Sequence, residues 1–144
     1  RETPCQGLQK ILRDSSTKGT SSGAICVVPP GCAALTPGDE SSRSTSSVCF
    51  NDDARAAVQQ ADAVVLVLGL SPLTQAREAL DRRDISLPAA QLALVNDAVA
   101  AAGSGATKKP VVVVLMCGGA VDLSIVSQMP GVEAIMWIGT RVCI

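Results

Sequence analysis

No histidine occurs among the 144 residues, and that absence excludes several chemistries at once. Ser-His-Asp and Cys-His catalysis need an imidazole as base, and most zinc sites lean on one as ligand, so these readings fall away. Aromatic side chains are nearly missing too: one Phe, one Trp and no Tyr. Stacking platforms for bases or sugar rings can therefore hardly come from this chain, and its core must be built from Val, Leu, Ile and Ala. Charge is sparse and balanced, with 12 Lys and Arg against 13 Asp and Glu. A net charge of −1 gives no electrostatic reason to expect nucleic acid or an anionic membrane as partner. The apolar runs are too short to span a bilayer. No charged segment followed by an apolar one opens the chain, so no signal peptide is visible, and Arg1 in first position reads as a processed chain or a fragment. The six cysteines form no C-x-x-C pair, which removes zinc ribbons and thioredoxin sites. Neither a metal nor an organic cofactor is expected.

What is present is one domain's length of chain, 47% hydrophobic and 17% charged, enough to bury a substantial core. "TPCQGLQKILRD" places Pro4 in a first helical turn, and Leu8, Ile11 and Leu12 share one face of the expected helix. Ser15 to Gly23 reads as a flexible connection and residues 36–47 as a polar surface loop. Between them "AICVV" (24–28) is a short expected strand, ended by Pro29-Pro30-Gly31. "NDDARAAVQQA" begins with Asn or Asp as N-cap, and Ala54, Ala57, Val58 and Ala61 recur at helical spacing. "AVVLVL" (63–68) and "VVVVLM" (111–116) show no polar alternation, so both faces of each should be covered. "LPAAQLALVNDAVAAA" predicts a helix lined by Leu92, Val95, Val99 and Ala102 and ended at Gly103. Residues 121–128 predict a short helix, and "VEAIMWI" (132–138) the last strand, with Trp137 in the core.

The order helix, β, α, β, α, β, α, β, with connections of this length, predicts parallel strands and right-handed crossovers. The expected fold class is α/β: a three-layer sandwich with a mostly parallel sheet and helices on both faces. In such sheets ligands gather at the carboxyl ends of the strands. Two segments follow such ends, "CGGA" (117–120) and the charged stretch inside "GLSPLTQAREALDRRDISLPAAQ" (69–91).

No G-x-G-x-x-G follows a strand, and "GSGATKKP" (103–110) precedes one and lacks the P-loop spacing, so it is read as a helix-to-strand turn. "CGGA" is read as an ordinary βα turn. Cys117 has no histidine to serve as its base and, like Cys26, is expected to be a small buried hydrophobe. Cys32 and Cys49 bracket the insert "AALTPGDESSRSTSSV" and would staple its ends in an oxidising compartment. The charged stretch carries Glu78, Asp81 and Asp84 among Arg77, Arg82 and Arg83. One reading is a salt-bridged helical turn, with Glu78 and Arg82 as i, i+4 partners in the favourable order. The other is a site: one acidic group beside an Asp81-Arg82 pair able to bind hydroxyls.

Several short pieces then fall in a telling order. They are a strand ending in Gly69-Leu70, Glu78-x-x-Asp81-Arg82, and Leu87-Pro88-x-x-Gln91 opening a helix. A Lys109-Pro110-Val111 strand ending in Gly118-Gly119 follows, then Val121-Asp122-Leu123-Ser124 and Ile135-x-Trp137. The set, over roughly residues 2–139, resembles the C-terminal α/β domain of glycoside hydrolase family 3, of the β-xylosidase/α-arabinofuranosidase or β-glucosidase type. "TPCQGL" resembles the segment that joins the family's barrel to this domain, and "PPGC" its glycine-cysteine turn.

The resemblance implies a retaining glycosidase acting on β-linked xylosides or glucosides of cell-wall polysaccharide, with two carboxylates about 5–5.5 Å apart. It implies that the nucleophilic aspartate sits on an N-terminal (β/α)8 barrel and that a loop of this domain supplies the acid/base. Glu78 is the only glutamate of that loop, and Asp81 and Arg82 are the candidate substrate-binding pair. The implied partners are an oligosaccharide or glycoside substrate and the barrel, and the implied location is extracellular or in the cell wall. Residues 1–23 are then the link and helix from the barrel, and residues 24–144 an incomplete family 3 C-terminal domain.

Three departures qualify it. The family usually carries Glu-x-Glu where this chain reads Ala76-Arg77-Glu78, in a loop one residue longer. Arg77 and Arg82 beside Glu78 favour its ionised form, the wrong direction for a general acid unless burial offsets them. The family also continues past the tryptophan strand with a Gly-Tyr-Pro-Gly turn and more sheet, where this chain reads "GTRVCI". The chain alone is therefore expected to be inactive, and the alternative reading is a non-catalytic carbohydrate-binding or interaction module. A flavodoxin-like nucleotide-binding or receiver domain is disfavoured, because "CVVPPGC" offers neither a phosphate-binding turn nor an acidic cluster.

Overall fold

The computed structural model describes residues 4–15, 50–70, 84–103 and 107–139. The expected strand at 24–28, the insert between Cys32 and Cys49, and the stretch 71–83 lie outside the described residues. Helix α1 spans Pro4–Ser15, with proline where a helix needs no N–H. Its Leu8 and Ile11 are exposed, and Cys5 in its first turn is disulfide-bonded.

Helix α2, Asp52–Gln60, starts where the sequence places it. The Asn51 side chain accepts a hydrogen bond from the Ala54 N–H at 2.9 Å, and Asp52 and Asp53 put negative charge at the positive end of the helix. At its other end the Lys109 ammonium donates to the carbonyls of Val58 and Gln59, at 2.9 and 2.5 Å. Helix α3 covers Ala89–Ala102 and ends at Gly103, whose φ of 88° is the left-handed conformation that glycine adopts freely.

Three parallel strands form the sheet: β1 Val64–Gly69, β2 Val111–Met116 and β3 Val132–Ile138, in the order β1-β2-β3. Helix α3 connects the first pair, and the short α4, Ser124–Ser127, lies between the second. The α/β class with an open parallel sheet is as expected. The last helix is shorter than the expected 121–128, because Asp122 is drawn into a bridge with Ser86 instead.

Residues paired across a parallel ladder share a face, so Val64, Leu66 and Leu68 stand beside Val111, Val113 and Leu115. Phe50, Ala54, Val58, Ala98 and Ala102 close over Val64 and Val111. Leu87, Val95, Cys117 and Val126 close over Leu68, Val113 and Leu115. Cys117 is thus the small buried hydrophobe expected.

The expectation of cover on both faces is not met among the described residues. Val65 and Val67, on the opposite face, are each 47% exposed. Trp137, expected in the core, is 62% exposed. It sits level with Leu115 on the covered side, but α3 lies over β1 and β2, and β3 is bare along nearly its whole length. An apolar strand sequence identifies the strand without saying what lies over it.

Candidate functional site

Gly69 and Met116 pair at the carboxyl ends of β1 and β2, so the two strands finish level. Close approach dictates the glycine: a Cβ at position 69 would lie 2.1 Å from the Met116 carbonyl oxygen. The Gly69 N–H donates to Gln91 Oε1 at 3.1 Å, and Gln91 Nε2 donates to the Gly69 carbonyl at 2.6 Å. One carboxamide from the first turn of α3 therefore satisfies both backbone groups of the last residue of β1. The charged stretch begins just beyond, after Leu70.

The chain returns from that stretch beside the segment that follows β2. Ser86 and Asp122 form a parallel bridge, and the Asp122 N–H donates to the Ile85 carbonyl at 2.7 Å. Two Asp-x-Ser turns meet there. The Ser86 N–H donates to Asp84 Oδ1 at 2.8 Å, and the Ser86 hydroxyl donates to the same oxygen. Ser124 repeats the pattern on Asp122 Oδ1, with its N–H at 2.8 Å and its hydroxyl at 2.5 Å. The Ser124 hydroxyl first, and then its N–H, hold the Asp122 carboxyl below the ordinary carboxylate range, against a small opposing desolvation. Both carboxylates are exposed on the carboxyl side of the sheet.

Between these turns Cys117 is buried and donates to the Gly119 carbonyl at 3.2 Å, which leaves its thiol inside the fold. Gly118 and Gly119 are exposed, and a Cβ at position 119 would meet nothing. Glu78, Asp81 and Arg82 lie outside the described residues. The structure places the two ends of their stretch, Leu70 and Asp84, at the rim. Sequence reasoning missed the tasks of Gln91, Asp84 and Asp122. The repeated Asp-x-Ser at 84–86 and 122–124 was the available signal for the turns. Among the described residues no group of three Cys, Asp or Glu could hold a metal ion, and no helix is long and apolar enough to cross a membrane.

Fold and rim together define an α/β domain with an open parallel sheet, whose strand ends carry the Gln91–Gly69 contact and the two Asp-x-Ser turns. The chain belongs to a known family of such domains: the model of the glycosyl hydrolase family 3 C-terminal domain matches residues 1–141. Among curated proteins, "Probable beta-D-xylosidase 7" of Arabidopsis thaliana is 42% identical over 97 residues, 65% of this chain and 12% of that protein. "Beta-xylosidase/alpha-L-arabinofuranosidase 1" of Medicago sativa subsp. varia is 36% identical over 88 residues, 61% of this chain and 11% of that protein. An exo-1,4-beta-xylosidase of Aspergillus niger is 39% identical over 99 residues, 69% of this chain and 11% of that protein. The chain thus spans about an eighth or less of the length of these relatives.

Proposed function

We propose that the chain is the C-terminal domain of a retaining glycoside hydrolase that acts on β-linked xylosides of cell-wall polysaccharide, with glucosides as the wider class. The observation that carries this reading is the anchoring of the charged stretch. Its neighbours Leu70 and Asp84 stand at the carboxyl side of a parallel sheet, where α/β domains present ligand-facing loops. Family membership and the xylosidase names of the relatives support the substrate class. The disulfide at Cys5 supports an oxidising compartment, and with it a place outside the cell.

In this reading an N-terminal barrel supplies the nucleophilic carboxylate, which attacks the anomeric carbon while the Glu78 carboxyl gives its proton to the departing glycosidic oxygen. In the second half the Glu78 carboxylate takes a proton from water as that water displaces the barrel's carboxylate from the sugar. Asp81 accepts from sugar hydroxyls and Arg82 donates to them.

Assays on an aryl β-xyloside test this. The chain alone should show no turnover, because the nucleophile is elsewhere, and turnover by it would contradict the reading. Joined to a family 3 barrel it should hydrolyse the glycoside, and Glu78→Gln should lower kcat by about 10²-fold or more. If the joined protein shows no turnover, the non-catalytic carbohydrate-binding reading takes over. Ala76→Glu, which restores the acid usual in relatives, would then be the substitution that supplies activity.

A further inference from the structure

We draw no further inference here: the strongest candidate, the bare face of the sheet on which Val65, Val67, Met136 and Ile138 are exposed, carries nothing because no feature of the described residues shows what covers it.

Discussion

Val113 and Val67 are the same residue on adjacent strands of one sheet, yet Val113 is fully buried and Val67 is 47% exposed. Register explains it: Val113 pairs with Leu66 and faces α3, whereas Val67 pairs with Val114 on the other side. That other side carries Val65, Val67, Val112, Val114, Met116, Ala134, Met136 and Ile138, all of them apolar. The covered side has the same chemistry and a different fate, because Phe50, Ala54, Val95, Ala98 and Val126 are there to meet it. Apolarity belongs to the strand, and burial belongs to the strand together with its neighbours.

The contrast is broken most forcefully by placing charge on each face in turn. Val113→Asp puts a carboxylate with no partner into the covered core, and should cost more than about 4 kcal/mol and abolish cooperative unfolding in urea. Met136→Lys, at a position 55% exposed, should stay within about 0.5 kcal/mol of the parent and reduce self-association in light scattering. A Met136→Lys variant as unstable as Val113→Asp would show that the bare face has a cover in solution and that the two faces are alike.

Much of this was legible in the residues. "AVVLVL", "VVVVLM" and "VEAIMWI" gave strands within one residue of β1, β2 and β3, because unbroken β-branched runs bounded by turns leave few other solutions. Asn51 and Gly103 marked helix ends by local chemistry, and the helix ends are there. Trp137 was not legible, since its exposure depends on what packs beyond β3 and not on the strand. Asp122 was misread as part of a helix, because its pairing with Ser86 joins segments far apart in sequence. The task of Gln91 was hidden for the same reason: its partner Gly69 is 22 residues away, and only the parallel crossover brings them together. Local rules reach caps and periods, while a rim is made of contacts between segments.

The smallest effect comes from the rim, where neither face contributes and only local hydrogen bonds act. Asp122 is exposed, and its carboxylate accepts from the Ser124 hydroxyl and N–H. Those bonds lower its folded pKa below the ordinary 3.8. A lowered folded value means that the folded protein holds its proton less tightly than the unfolded chain, so the stabilisation is present above 3.8 and lost as the pH falls through the folded value. Asp122→Asn keeps an acceptor oxygen and removes the charge, so it should abolish that pH dependence while leaving the turn in place. Urea midpoints should be higher for the parent at pH 6, and the gap should close as the pH is taken below 3.8. A gap that stays constant down to pH 2 would mean that the difference comes from the shape of the amide and not from the charge. The rim would then be held by geometry alone, with no electrostatic share from Asp122.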